Sequence, residues 1–438
     1  SALFRLPQLG YSHFYGDEIK TLYLRKDVSA PNFLMNQRKG PMQFLTSWFA
    51  EKVSGGYKES HIRLPYGVIG SLLTPIFYCF SLVFLNRRSA FVASLYFMLS
   101  GFSIAFSRTA QYQVLYLFFG LVGLILASKR LWLFSGVSFG LALLSHYDVL
   151  LLLIPLIFIT DNKSFIKICL TATVISLLFY LPNILLGYFG TNTVGYLTKR
   201  VAGSGYLPNN SLYTLTVYNP LWIYLTSLFV FATLGFINFY NDKRGKILML
   251  WFLVPFFLFQ FLTMNPGTHI HNYLIPAFLL AGLGFDVLAT KNKPFMYILG
   301  SVIFAIVCTV QAWVYIPMIN TGYPWRDTKF IGIPVTRVSG NYHLYLYGFP
   351  YYRSWDKIGK YFDSLSGVRN FYTNDNQTVA EYYLGYTPYI APGIGFRPQY
   401  YLYVDNSQEL KLKTEVDKNF YNELKSEPFV YSIFKMVN

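Results

Sequence analysis

Long apolar runs separated by short polar joints fill the middle of the chain, from about residue 62 to 316. Ten such runs stand out, at about 62–85, 89–106, 111–127, 131–145, 147–160, 165–187, 220–240, 246–264, 272–289 and 294–316. A helix of about 20 apolar residues matches a hydrocarbon layer about 30 Å thick, so the pattern predicts a mainly α, polytopic membrane protein. The two ends read differently. Residues 1–61 mix polar and apolar positions, and two short amphipathic stretches, about 17–26 and 41–54, are expected to lie along the interface. Beyond about 317, acids return among alternating Tyr and Phe. Val368–Thr373, Tyr400–Val404 and Val430–Lys435 read as strands, with helices at Asp356–Leu365, Gln377–Leu384 and Glu409–Leu424. The expected organisation is a membrane domain over 1–320, including the first external loop, and a connector with a small extracytoplasmic α/β domain over 321–438. The first residues look like the outer end of a helix already under way, so a further transmembrane helix is expected ahead of Ser1.

Composition supports the membrane assignment and removes one rival. The chain has 438 residues, 54% hydrophobic and only 13% charged, against about 25% charged in soluble domains. A net charge of +16 would suit a nucleic-acid partner, yet no basic arm or aromatic-basic platform is present. The basic residues sit instead in every second short loop: Arg87-Arg88, Lys129-Arg130, Lys163 with Lys167, Lys243-Arg244 with Lys246, and Lys291 with Lys293. The positive-inside rule places those loops in the cytoplasm. The alternate joints, around Arg108, His146, 188–219 and 265–271, then face outside together with both ends of the chain. Cys79, Cys169 and Cys308 all fall inside apolar runs and read as small buried hydrophobes rather than a disulfide framework.

The outer side collects the candidate chemistry. Asp17-Glu18 follows Phe14-Tyr15-Gly16 in the first external loop; a carboxylate here is either a solvated loop acid or a general base for an attacking hydroxyl. Adjacent side chains diverge, so at most one of the two should point into a given site. Lys39-Gly40-Pro41 offers a cation beside a turn, suited to a phosphate or to anchoring at headgroups. Arg63 and Arg108, at membrane edges, allow the same two readings. All six histidines (His13, His61, His146, His269, His271 and His343) fall on the outer side. His146-Tyr147-Asp148 and His269-Ile270-His271 put imidazoles and an acid at span ends, where polar groups are costly and favour function. They are metal-ligand types without the spacing of a strong metal motif, and leave room for a divalent metal. Two sequons, at Asn209 and Asn376, matter only in a cell that N-glycosylates.

Taken in order, these segments resemble the GT-C superfamily of polyprenyl-phosphate-sugar glycosyltransferases, in the branch of protein O-mannosyltransferase and aminoarabinose-transferase-like membrane proteins. The similarity rests on Arg5-Leu6-Pro7 with Asp17-Glu18, Lys39-Gly40-Pro41, Arg63-Leu64-Pro65, Ser107–Ala110, Gly136–Tyr147 and His271-Asn272-Tyr273-Leu274-Ile275-Pro276. Some relatives carry a second acid where this chain has Gln113, which sets it apart from a two-carboxylate or metal-bridged scheme. The resemblance implies an integral protein of a prokaryotic plasma membrane. It would transfer a sugar, with inversion, from a polyprenyl-phosphate donor to a glycan, lipid or protein acceptor on the extracytoplasmic face. Asp17 would be the general base with Glu18 as local support. Lys39, Arg63, Arg108 and His271 would neutralise the departing phosphate, with Arg5, His146, Asp148, His269 and Tyr273 as further site candidates. A flippase of lipid-linked glycans and an inactive scaffold are the alternatives.

Overall fold

The computed structural model describes residues 1–24, 28–202, 215, 222–264, 267–290, 294–316, 328–330, 333–335, 352–365, 370–389, 398–404 and 431–435. The Asn209 sequon, His343, the 291–293 loop and the expected 409–424 helix lie outside these residues. The external loop holds short helices α1 (Ala2–Arg5), α2 (Gly16–Ile19) and α3 (Ala30–Met35), then the longer α4 (Met42–Ser54). A bundle follows: α5 (Glu59–Ser81), α6 (Arg87–Leu99), α7 (Gly101–Ser107), α8 (Tyr112–Ser128), α9 (Trp132–Ser145), a 3-10 turn (Tyr147–Leu152), α10 (Leu153–Ile159) and α11 (Asn162–Leu185). It continues through a π-helical turn (Phe189–Val194), α12 (Gly195–Val201), α13 (Trp222–Phe239), α14 (Lys243–Phe257), a second π turn (Leu258–Leu262), α15 (His271–Thr290) and α16 (Pro294–Tyr315).

Helix occupies all ten apolar stretches, but span length divides them. Among the described residues five helices are long and apolar enough to cross a bilayer, or six if α6 and α7, bent by 58° at their junction, form one span. The helices Tyr112–Ser128, Trp132–Ser145, Tyr147–Ile159 and Ile223–Phe239 are apolar but shorter. A helix of 14 residues reaches only about 21 Å. Side-chain caps start the helices that follow polar joints. Asn86 accepts from the Ser89 N–H at 2.9 Å and Asp161 from that of Ser164 at 3.0 Å, satisfying donors that a helix start leaves open.

α15 is the axis of the bundle. Of its most apolar 18-residue window 83% is buried, against 22% for α11 and for α16. The outward faces of those two peripheral helices carry Leu170, Val174, Leu178, Leu181, Ile298 and Val302 in the open, as lipid-facing helices should. α13 lies against α15 almost backbone to backbone: a Cβ on Gly284 would come within 1.8 Å of the Phe231 carbonyl, and one on Gly235 within 2.1 Å of that of Leu280. Small residues permit this approach, which replaces hydrophobic drive in lipid by close packing. The one acid in α15, Asp286, accepts from Asn86 Nδ2 at 2.7 Å and lies 3.8 Å from Arg88.

The external loop departs from expectation at one stretch. α4 does keep an apolar exposed face, with Phe49 and Val53 in the open, consistent with an interfacial helix. The 17–26 stretch does not over its described residues, 17–24: they contribute only one helical turn, with Glu18, Ile19 and Leu22 buried. It is a plug inside the protein rather than a helix on the membrane. Its apolar partners form a second core shared with the C-terminal segment: Phe14, Ile19 and Leu22 cluster with Ile62, Tyr66, Trp355, Ile358 and Phe371. That segment contains β1 (Thr328–Phe330) paired antiparallel to β2 (Ile333–Val335), helices α17 (Trp355–Ser364) and α18 (Gln377–Tyr383), and a sheet ordered β3 (Phe371–Thr373), β4 (Tyr400–Val404), β5 (Tyr431–Lys435). β3 and β4 run parallel and β5 antiparallel to β4.

Candidate active site

The adjacent acids part company at once. Glu18 is completely buried and meets Arg63, itself 1% exposed, in a two-pronged pair: Nε to Oε1 at 2.9 Å and an Nη to Oε2 at 2.8 Å. The backbone N–H of Tyr15 donates to Oε2, and that of Ala110 to Oε1, both at 2.8 Å. Arg63 spends its remaining donors on the carbonyls of Leu9, Ser12 and His13, each at 2.9 Å. Arg5 is equally enclosed, donating to Ser107 Oγ at 3.2 Å, Ser103 Oγ at 2.9 Å and the Met98 carbonyl at 3.1 Å. Arg108 donates to the carbonyls of Phe4, Pro7 and Gln8 at 3.3, 2.8 and 3.3 Å. The three arginines therefore fasten residues 1–18 onto α5 and the α7–α8 joint. Glu18 therefore presents no free carboxylate, and Arg63, expected at the departing phosphate, is turned inward, as is Arg5. Sequence shows an arginine at a membrane edge, and only folding reveals that its counter-ion lies 45 positions away.

Asp17, one residue earlier, points the other way. Its side chain is 28% exposed and lines an open cleft of about 220 Å3 with Lys20, Thr21, Arg38, Lys39 and Gln43. Gln43 Nε2 ties the cleft floor together, donating to the Ala110 carbonyl at 2.6 Å and to that of Asp17 at 3.5 Å. Thus the Asp17-Glu18, Lys39-Gly40-Pro41, Arg63 and Ser107–Ala110 segments, far apart in sequence, meet at one place. Partial burial opposes ionisation of Asp17. The charges of Lys39, Lys20 and Arg38, with a hydrogen bond from Lys20 at 3.3 Å, outweigh it and hold the carboxyl below its ordinary 3.8. Burial depresses the Lys39 ammonium, and the neighbouring Tyr196 and Asp17 only partly offset this.

The loop carrying Lys39 is held in place by its turn. Gly40 has φ +106°, and a Cβ there would strike the Leu144 carbonyl at 2.1 Å, so only glycine lets the loop press on the end of α9. Thr193 Oγ1 donates to the Arg38 carbonyl at 3.0 Å, and Asn183 Nδ2 to that of Met35 at 2.6 Å. Lys39 Nζ then lies 4.5 Å from the centre of the Tyr112 ring, and Arg38 4.2 Å from that of Tyr196. Tyr112, Tyr196 and Arg200, which approaches Tyr196 at 5.0 Å, carried no sequence signal beyond their type. Their role emerges only from packing.

Behind Tyr112 sits a second polar cluster. Tyr112 stacks on His146 at 3.9 Å and 13°. Buried Asp148 lies 2.6 Å from His269 Nδ1, 3.1 Å from His146 Nδ1 and 3.1 Å from His271 Nε2, and accepts from Asn272 Nδ2 at 2.9 Å. His271 Nε2 thus faces Asp148 rather than the cleft, without a hydrogen bond to it. Tyr273 does not reach either group: it is buried between Phe252 and Phe256. Gln113, where some relatives carry an acid, is buried and donates to Thr268 Oγ1 at 3.3 Å.

The cleft around Asp17 favours an anion over a cation. Among the described lining residues no second carboxylate or imidazole faces Asp17, and its charged neighbours are Lys20, Arg38 and Lys39. A cation cannot bind favourably in such a ring of positive charge, whereas an anion can.

The C-terminal segment grips the loop just ahead of Asp17. Arg353 donates to the Phe14 carbonyl at 2.6 Å and to Asp375 at 2.7 Å, and its backbone N–H donates to His13 Nδ1 at 3.0 Å. Tyr383 accepts from the Phe14 N–H at 2.8 Å and bonds Glu59. Asn376 of the second sequon caps α18 and packs on Gly16, 3.0 Å from where a Cβ would sit.

No protein-family model and no curated protein sequence matches the chain. Solved structures do. ArnT from Cupriavidus metallidurans in the apo state superposes with a TM-score of 0.55 at 12% identity, covering 92% of this chain and 91% of that one. The same protein bound to undecaprenyl phosphate gives 0.54 at 13%, covering 88% and 83%. The archaeal oligosaccharyltransferase AglB from Archaeoglobus fulgidus, in complex with an inhibitory peptide and a dolichol-phosphate, gives 0.52 at 12%, covering 88% of this chain and 63% of AglB. The apolar bundle belongs to an integral membrane protein, and the chain shares its fold with ArnT and AglB.

Proposed function

We propose that the protein is a membrane glycosyltransferase that moves a sugar from a polyprenyl-phosphate donor to an acceptor hydroxyl or amine on the extracytoplasmic face, with inversion. The observation that carries this reading is the pairing of one available carboxylate, Asp17, with a half-buried cation, Lys39, in the lining of one small cleft. The acceptor oxygen attacks the anomeric carbon from the side opposite the phosphate. Its proton passes to an Asp17 Oδ as the new C–O bond forms. The bond from the anomeric carbon to the phosphate oxygen breaks, and the electron pair leaves with the phosphate. Lys39, with Arg38 beside it, offsets the charge gained there. The resulting polyprenyl phosphate matches the class of lipid bound to ArnT and AglB in their solved structures.

A cleft of about 220 Å3 is smaller than the roughly 300–1,000 Å3 of ordinary ligand pockets. It holds a phosphate and part of a sugar ring, and the lipid tail must lie outside it among the helices. The basic residues in every second joint support an orientation with this face and the C-terminal segment outside the cytoplasm. The test is transfer from a labelled polyprenyl-phosphate sugar by purified protein in lipid, followed by mass spectrometry of the acceptor. Covalent, sugar-sized mass gain that disappears in Asp17→Asn is the expected result. Lipid-linked sugar that crosses a vesicle membrane without covalent product would overturn it in favour of a flippase.

A further inference from the structure

We infer that His146, Asp148 and His269, with His271 completing the set, form a structural zinc site behind the cleft. The inference does not depend on the transferase reading, since it rests on the donor set alone. One nitrogen each from His146 and His269 and one oxygen of Asp148 lie within 4.8 Å of one another, all buried. Zinc bonds of about 2.0–2.2 Å to imidazole and carboxylate are reached from this spacing by small side-chain rotations. His271 Nε2, 3.1 Å from Asp148 Oδ2, stands outside that group of three and would have to swing inward to become the fourth ligand of a closed tetrahedral site.

Two observations point to an ion rather than to a hydrogen-bonded knot. First, the hydrogen bonding around Asp148 is incomplete. His271 Nε2, which faces Asp148, is buried and has no hydrogen-bond partner among the described residues, nor has His271 Nδ1, and such groups are costly to leave unsatisfied. Second, His146 Nδ1 faces two demands at once: it accepts the Asp148 N–H at 3.1 Å and lies 3.1 Å from Asp148 Oδ1. A nitrogen that accepts cannot also donate to the carboxylate, so this contact sets lone pair against negative charge; a cation between them would take the lone pair in place of the Asp148 N–H. Aromatic walls enclose the group: Tyr112 on His146, Phe259 stacked on His269 at 5.5 Å, and Phe102 and Tyr116 near His271 at 5.3 and 5.1 Å. Imidazoles with one carboxylate select zinc over magnesium or calcium, which take oxygen ligands. The ion would tie the joint after α9 to the segment entering α15, 121 residues on, and so fix Tyr112 under Lys39.

Metal analysis of the full-length protein, purified in detergent through a tag without histidine, tests the site. We expect about one zinc per chain, a fall to background in His269→Ala and Asp148→Asn, and retention in His61→Ala. Replacement by Co2+ should give visible ligand-field bands, and X-ray absorption at the zinc edge should show imidazole scattering. The last measurement uses the unaltered protein, so the inference stays testable if the variants misfold. Folded protein with background zinc after growth in zinc-supplemented medium overturns it, as does bound zinc without imidazole scattering. Zinc retained in both His269→Ala and Asp148→Asn overturns it equally.

Discussion

Asp17 and Glu18 are neighbours in sequence and opposites in environment. Glu18 receives four hydrogen bonds, two of them from Arg63, and meets no solvent. Asp17 receives one side-chain hydrogen bond, from exposed Lys20, and opens on a cleft. The same carboxylate chemistry thus does two jobs, because a group whose lone pairs are all used can only hold structure. The cations divide in the same way. Arg5 and Arg63 are saturated by carbonyls, hydroxyls and Glu18, whereas Lys39 has an aromatic ring beneath it and an acid across the cleft. Saturation, more than charge, separates staple from site.

The largest effect should follow from removing the free carboxylate. Asp17→Asn keeps the shape and takes away the base, so turnover should drop by about 10²–10⁴-fold while the thermal unfolding curve stays where it was. Near-normal turnover by this variant would erase the distinction drawn between the two acids. Arg63→Met should do the reverse. Breaking a buried pair strands the partner charge and costs about 3–5 kcal/mol. The variant should unfold at lower temperature, and its surviving folded fraction should retain activity per molecule. Unchanged stability with lost turnover would instead move Arg63 into the reaction.

How much of this was legible beforehand depends on the range of the interaction. The apolar runs announced the helices because hydrophobic length is a local property, and Asp17 and Lys39 stood out as polar groups in short outer segments. Nothing local told Arg63 from Lys39: each is a cation beside a proline-containing turn or helix start, and their difference lies in contacts with Glu18 and Tyr112. Asp148 had the same problem. Its three histidines come from two joints, and their convergence depends on how α9 and α15 pack. The 17–26 stretch misled for a related reason, since its apolar residues face Trp355 and Phe371 of the distant C-terminal segment rather than lipid.

Lys39 should come next in size. Lys39→Gln removes a preorganised charge from the leaving phosphate, and such losses run to about 10²–10³-fold. The pH profile sharpens the assignment. On the proposed mechanism transfer needs Asp17 ionised and Lys39 protonated; Asp17 titrates below 3.8 and Lys39 below 10.5. The rate should therefore be flat through neutrality, with the acid limb below the first value and an alkaline limb that starts below the second and vanishes in Lys39→Arg. An acid limb near pH 6 would mean that a histidine, not Asp17, takes the proton.

The smallest effect lies where the C-terminal segment meets the external loop. Burial, with Arg353 and Arg63 close by, takes the His13 imidazole from its usual 6.5 down to about 4, against the opposing pull of Asp356 at 3.2 Å. The folded protein therefore holds His13 neutral, while the unfolded chain binds a proton below 6.5. Stability contributed by this neutral ring is whole above pH 6.5 and is lost as pH falls towards 4, by about 3 kcal/mol at most. Because His13 and Phe14 are held by Arg353 and Tyr383, the loosening should begin at that contact. Limited proteolysis between pH 7 and 5 should release C-terminal fragments increasingly fast, and His13→Asn should flatten the dependence. Equal pH sensitivity in that variant would place the titrating group elsewhere and leave the grip on the Asp17 loop to Arg353 and Tyr383 alone.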